Sequence, residues 1–172
     1  NDNIIIEEIY KIGREHEEFT NSIGNVKTLF HGSNSGNILG VLSRGLILPN
    51  VAEKEWYLKG SRRDIGMLGS GIYFTNDSNV VANKYSSLSS ENSRFMFIAD
   101  VALGKIWDTK SFDTTLNNPP KGYNSVHGVK NSQFEDDEFV IYNENQQKLK
   151  YLVKFSLPDD NNLLDNSYSQ NI

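Results

Sequence analysis

Apolar and polar positions alternate with several different periods along this chain, and each change of period marks an element. From Asn3 to Thr20, Ile5, Ile9 and Ile12 recur at helical spacing between Glu7, Glu8, Glu15, Glu17 and Glu18. That pattern predicts a helix over 3–20, packed on the edge of the domain. Asn21 to Asn25 break it, and Val26 to Phe30 read as a short strand ending at His31. Asn34 or Ser35 can cap a second helix, whose apolar stripe is Ile38, Val41 and Leu42 and whose end is signalled by Arg44-Gly45. Leu46 to Leu48 predict another strand, stopped by Pro49-Asn50, and from Val51 to Gly66 the period is lost. Ile72 to Thr75 form a strand and Asn79 to Tyr85 a short helix. Phe95 to Leu103 are apolar almost throughout, the mark of a central strand buried on both faces. Ile106-Trp107 extend a neighbouring strand, Ser111 to Asn124 make a loop, and Phe139 to Tyr142 are strand again. In the last strand Leu149, Tyr151, Val153, Phe155 and Leu157 alternate with polar or small residues, and the tail from Pro158 to Ile172 reads as polar and frayed.

Several strands, few short helices and long loops define an α+β or mainly β domain with two packed sheet halves. At 172 residues the chain is most simply one domain, with no internal repeat. Charged residues make up 23% and hydrophobic ones 37%. No apolar run approaches the roughly 20 residues of a membrane span, and no signal peptide is visible. The chain begins with Asn1 rather than methionine, so we expect it to be a domain of a longer protein. The absence of cysteine excludes disulfides, thiolate zinc sites and a cysteine nucleophile. A net charge of −5 argues against broad capture of nucleic acid, so any anionic ligand must be held by local geometry.

The candidate chemistry centres on Leu29-Phe30-His31-Gly32-Ser33. A buried strand positions His31, Gly32 lets a ligand approach main-chain N–H and C=O groups, and Ser33 offers a hydroxyl. Taken singly, His31 and Tyr73 read as structural and Glu138 as one of the solvated run Glu135 to Glu138, set apart by opening an apolar strand. His16 and His127 are assigned structural roles. The aperiodic stretch 51–66, with Trp56 and Tyr57 as anchors or simple packing residues, is long enough to be a lid over a site.

Five motifs together are more specific. They are the His31-Gly32-Ser33 strand end, Gly69-Ser70-Gly71-Ile72-Tyr73-Phe74, Asp100-Val101-Ala102-Leu103-Gly104, Gly122 to Gly128 with Ser125-Val126 inside, and Glu138-Phe139-Val140-Ile141-Tyr142. In this order they resemble the catalytic domain of the poly(ADP-ribose) polymerases, in the ADP-ribosyltransferase superfamily of diphtheria-toxin-like His-Tyr-Glu type. Pro120-Lys121-Gly122-Tyr123, Ser125-Val126-His127-Gly128 and Phe134 to Val140 are most like its vault-associated branch. The resemblance implies the ADP-ribosyltransferase fold, with two packed, mainly antiparallel sheet halves, short helices and a long loop over the NAD site. It implies residues 1–25 as an N-terminal helix and linker, 26–157 as the catalytic domain and 158–172 as a tail.

It also implies that NAD is the substrate, cleaved at its nicotinamide glycosidic bond with no metal. Glu138, His31 and Tyr73 are then the catalytic set, with His31 on the ribose remote from nicotinamide. Tyr73 and Tyr85 flank the nicotinamide ring, Gly32 clamps its carboxamide, and Ser33 and Asn37 line the path toward adenosine. Arg62 and Arg63 either meet the diphosphate or are solvated. Partners would be protein acceptors, the chain itself included, and a larger complex through the parent protein. Neither nucleic acid nor membrane is expected, and the setting would be intracellular, cytoplasmic or nuclear.

Two departures stand out. Counting three residues back from Tyr85 gives Ala82, where the family commonly has a serine that donates to the carboxamide; the interval from Tyr73 to Tyr85 is one residue longer than usual. Val81 stands where chain-extending relatives carry a lysine, which favours transfer of one or a few units. Two other classes remain in play: a weakly active NAD- or ADP-ribose-binding scaffold, and a related transferase that modifies nucleic-acid ends or removes a phosphate from RNA, against which the acidic charge balance counts.

Overall fold

The computed structural model describes residues 4–14, 17–49, 51, 66–90 and 92–161. Eight strands form two four-stranded sheets. One has the order β1 (Ile5–Lys11), β8 (Gln147–Ser156), β4 (Arg94–Ala102), β2 (Val26–Gly32), antiparallel throughout. The other has the order β3 (Ile72–Phe74), β7 (Glu138–Ile141), β6 (Ser125–Gly128), β5 (Ile106–Thr109), antiparallel except for the parallel pair β5 and β6. Among the described residues they are accompanied by α1 (Ile38–Arg44) and α2 (Ser78–Val80), the latter continuing as a π-helical turn over Val81–Tyr85.

The core lies between the sheets. Leu29, Phe97, Val101 and Leu149 from the first sheet meet Ile72, Phe74, Phe139 and Ile141 from the second, with Ile38 of α1 closing one end. Phe97 and Val101 are fully buried on the interior strand β4, where a nearly continuous apolar run needs neighbours on both edges. Polar side chains tie the sheets together. Ser125 Oγ donates to the Leu103 carbonyl at 2.7 Å, and Gln146 Nε2 reaches the carbonyls of Ala102 at 2.9 Å and Asn124 at 3.0 Å. The motifs around Asp100 and Ser125 thus serve packing rather than chemistry.

Three expectations are corrected. Residues 5–11 form a strand, not part of a helix over 3–20, and they pair with β8 from Ile5 opposite Ser156 to Lys11 opposite Tyr151. Ile5, Ile6 and Ile9 are about half exposed, so the apparent helical stripe has no core to enter, whereas the β-branched run suits an edge strand. A domain boundary at residue 26 is therefore too late. Leu46 to Leu48 are not a strand: Leu46 enters the core as irregular chain, and the Leu48 N–H donates to Glu144 Oε1 at 2.6 Å. The beginning of the tail is not frayed, because Asp160 is buried and receives Arg94 Nε at 3.1 and 3.0 Å and Nη2 at 2.8 Å. β6, where the sequence shows a motif but no strand pattern, is too short to display a period. The lid expected over 51–66, with Trp56, Tyr57, Arg62 and Arg63, lies outside the described residues except at its two ends, as do His16 and the tail beyond 161.

Candidate active site

The two sheets meet at the end of β2. The Phe30 N–H donates to the Thr75 carbonyl at 2.9 Å and the Thr75 N–H to the Phe30 carbonyl at 3.0 Å, which brings the last residues of β2 beside β3. His31 Nδ1 then lies 2.7 Å from the Tyr73 carbonyl. A carbonyl can only accept, so Nδ1 carries the proton, and in the neutral ring Nε2 is the acceptor. A cavity of about 720 Å³ opens here, within the span of roughly 300–1,000 Å³ typical of small-molecule sites. His31, Gly32, Ser33, Asn37, Tyr73, Tyr85 and Glu138 all line it.

Each wall is built by local chemistry. The Tyr73 hydroxyl accepts from the Leu68 N–H at 2.9 Å and donates to the Gly69 carbonyl at 2.8 Å, so the hydroxyl end of its ring is fixed by both its donor and its acceptor capacity. Tyr142 reinforces the same turn by donating to the Leu68 carbonyl at 2.6 Å, and burial pushes its phenol well above the ordinary tyrosine range. Glu138 opens β7 and is buried at 7% exposure. Tyr85 Oη donates to Glu138 Oε1 at 3.1 Å. Burial, then the charge of Glu138 and this bond, push the Tyr85 phenol up to about 12, so it remains a donor at neutral pH.

Ala82 is not on the cavity wall. Its side chain is fully buried in a cluster with Val81, Met96, Val153 and Phe155. The physical reason is the π-helical turn over Val81–Tyr85: it holds more residues per turn than an α-helix, so the residue three before Tyr85 does not share its face. Val80 and Val81 line the cavity instead.

One residue that sequence reasoning passed over lines the cavity, and His127 lies outside its lining. Arg44, read only as a helix-end signal, lines the cavity and is the sole lysine or arginine among the described lining residues. Its guanidinium folds back along α1, with Nη2 3.1 Å from where a Cβ on Gly40 would stand. His127, assigned a structural role, stacks on Phe139 at 4.4 Å between centroids and sets its two ring nitrogens against Asp108 at 2.9 Å and Asp137 at 2.8 Å. Among the described residues no group of acidic, histidine or cysteine side chains could hold a metal ion, and no helix is long and apolar enough to cross a membrane.

Two mainly antiparallel sheets thus meet over a cavity lined by His31, Tyr73 and Glu138. The family profile described as poly(ADP-ribose) polymerase catalytic domain matches residues 2–134, and the chain belongs to that family, whose substrate is NAD. It is 47% identical to human protein mono-ADP-ribosyltransferase PARP4 over 161 residues, covering 89% of this chain and 9% of that protein. Identity to the mouse PARP4 protein is 48%, over 89% of this chain and 8% of that protein. Mouse protein mono-ADP-ribosyltransferase PARP3 is 25% identical over 87% of the chain. The chain thus spans under a tenth of the PARP4 proteins it matches. The profile match ends before Glu138, so the place of that carboxylate rests on geometry.

Proposed function

We propose that this domain transfers ADP-ribose from NAD to a protein side chain or to an existing ADP-ribose, releasing nicotinamide. The observation that carries the reading is the buried Glu138 carboxylate facing the same cavity as His31 and receiving the Tyr85 hydroxyl. In the reaction the bond from ribose C1′ to the nicotinamide nitrogen breaks and its electron pair leaves with neutral nicotinamide. A lone pair of the acceptor forms the new bond to C1′, and the acceptor gives up its proton. Positive charge develops on the ribose, and a buried carboxylate beside it is the strongest electrostatic stabiliser this cavity offers. Glu138 would hold the nicotinamide-ribose hydroxyl and orient or deprotonate the acceptor. His31 would take a hydroxyl of the other ribose on Nε2, with the Tyr73 carbonyl fixing its tautomer. Tyr73 and Tyr85 would flank the nicotinamide ring, with the backbone of Gly32 at its carboxamide. Ser33 and Asn37 would lead toward adenosine, and Arg44 is the candidate partner of the diphosphate.

The curated relatives named above are called mono-ADP-ribosyltransferases, and Val81 on the cavity wall is an apolar residue; both support transfer of single units or short chains. Acceptors would be proteins, this chain included. The NAD consumed is an intracellular metabolite, which supports a cytoplasmic or nuclear setting; fractionation of cells carrying the tagged parent protein tests that. The second reading, a weakly active NAD- or ADP-ribose-binding scaffold, is kept by the apolar wall at Val80 and Val81, which offers the carboxamide no side-chain hydroxyl.

The deciding experiment incubates the chain with labelled NAD and follows protein-attached label and free nicotinamide. Glu138→Gln is expected to lower both by about 10²-fold or more, the scale of losing a preorganised charge. Binding of NAD by both proteins with turnover by neither would replace the enzyme with the scaffold.

A further inference from the structure

Lys84 immediately precedes Tyr85 but does not line the NAD cavity. Its ammonium points the other way, 2.6 Å from Glu135 Oε2 and 2.7 Å from Asp136 Oδ2. Asp136 also takes Lys130 Nζ at 3.2 Å. The next residue, Asp137, accepts the Lys130 N–H at 3.0 Å and faces His127 Nε2 at 2.8 Å. Each of the three carboxylates leading into Glu138 is thus paired, Asp136 and Asp137 largely sheltered and Glu135 on the solvent side.

Two parallel links join the π-helical turn to the start of β7. Outside the cavity Lys84 holds Glu135 and Asp136; inside it Tyr85 Oη donates to Glu138 Oε1 at 3.1 Å. Lys84 is 51 residues from Glu135 and Tyr85 is 53 from Glu138, so neither link follows from chain proximity. The turn between them is one on which Tyr85 is half exposed, at 45%. Its own ladder is the widened π type, helped locally by Asn83 Nδ2 donating to the Asn79 carbonyl at 2.9 Å and Ser86 Oγ to the Ala82 carbonyl at 2.7 Å.

We propose that Lys84 is a positioning residue for ADP-ribosyl transfer: its clamp on Glu135 and Asp136 holds the Tyr85 hydroxyl on Glu138 and so sets the carboxylate's orientation. This rests on the transferase reading above. The clamp is an open one, with side-chain exposures of 43% at Lys84, 84% at Glu135 and 17% at Asp136. Ion pairs that open to solvent are screened by salt and contribute little to global stability. Their local geometry can still govern a reaction in which small displacements matter.

The test measures nicotinamide release at saturating NAD, KM for NAD and thermal unfolding for wild type, Lys84→Met and Lys84→Arg, with salt raised from about 0.05 to about 0.5 M. Lys84→Met is expected to lower kcat by about tenfold, as a small misplacement of a reacting group does, with KM and Tm nearly unchanged. Lys84→Arg is expected to restore most of the rate. Wild-type kcat should fall with salt toward the Lys84→Met value, which itself should be insensitive to salt. Wild-type kcat in Lys84→Met overturns the proposal, as does a loss that follows Tm and is not restored by arginine. A wild-type chain that binds NAD without releasing nicotinamide removes the transferase reading, and the proposal with it.

Discussion

At Gly32 one missing methyl group sets the width of the site. A Cβ there would stand 2.5 Å from Tyr85 Cβ and 2.6 Å from the Tyr85 carbonyl oxygen, far inside van der Waals contact. The glycine lets the π-helical turn close onto the end of β2, so its use is as much for Tyr85 as for a ligand. Gly32→Ala is expected to push the turn outward at an overpacking cost of about 1–3 kcal/mol. Because Tyr85 is a cavity wall, NAD binding should weaken by roughly tenfold or more, 1.4 kcal/mol being a factor of ten; calorimetric titration with NAD measures it. The same turn decides which neighbour can help the substrate. Ala82→Ser would bury a hydroxyl among Met96, Val153 and Phe155, so Tm should fall while KM for NAD stays put. Val81 belongs to the same buried cluster but also borders the cavity, so Val81→Ser should lower Tm too, while KM drops by up to about tenfold, the worth of one hydrogen bond. A lower KM in Ala82→Ser alone would mean that the turn faces the other way.

Among the elements, β4 is the one whose end is most firmly secured. Arg94, its first residue, forks onto Asp160 and also donates Nη1 to the Ser86 carbonyl at 2.9 Å, joining the π-helical turn region, β4 and the short helix after β8. Burial alone would raise the Asp160 carboxyl. The hydrogen bonds from Arg94 and the Leu157 N–H outweigh it, and the net shift is downward. A depressed folded-state value means that the contribution to stability is complete above the ordinary aspartate range, near pH 4, and is lost as pH falls through the lower folded value. Asp160→Asn is expected to cost about 1.5–3 kcal/mol at neutral pH, the range for hydrogen bonds to a charged group. The gap from wild type should close in strong acid, which urea melts across pH would reveal; a gap independent of pH would assign the loss to packing.

Across the whole molecule the two sheets share one core rather than forming separable layers. Leu29, Phe97 and Leu149 interlock with Ile72, Phe139 and Ile141, and Gln146 and Ser125 bridge the two sheets at buried carbonyls. Unfolding should therefore be a single transition. With Trp56 replaced by phenylalanine, fluorescence of Trp107 on β5 and far-UV circular dichroism are expected to give the same midpoint in urea; distinct midpoints would mean that one sheet melts first. The cavity sits where the sheets join, so its geometry depends on both remaining folded.

Local pattern was enough for much of this. The apolar run of β4 encodes burial on both its faces, because side-chain direction in a strand has a fixed period. The alternation read over Leu149 to Leu157 is broken by a bulge, which leaves Leu149 and Leu152 in the core between the sheets and puts Val153, Phe155 and Leu157 in a separate cluster with Met96. His31, Gly32, Ser33, Asn37, Tyr73, Tyr85 and Glu138 could be picked out in order along the chain, and the tertiary structure gathers them around one cavity. Three features were not legible, each for a long-range reason. Ile5 to Lys11 carry a spacing compatible with a helix, and only the open edge of β8, more than a hundred residues on, makes them a strand. Val81 and not Ala82 borders the cavity because the turn that carries them is π-helical, and its pitch depends on what it packs against. Lys84 and the acidic run before Glu138 look like ordinary surface charge until the fold brings them together. Periodicity states which side of an element is apolar; which element covers that side, and which charges then meet, is decided by packing energy summed over the whole chain.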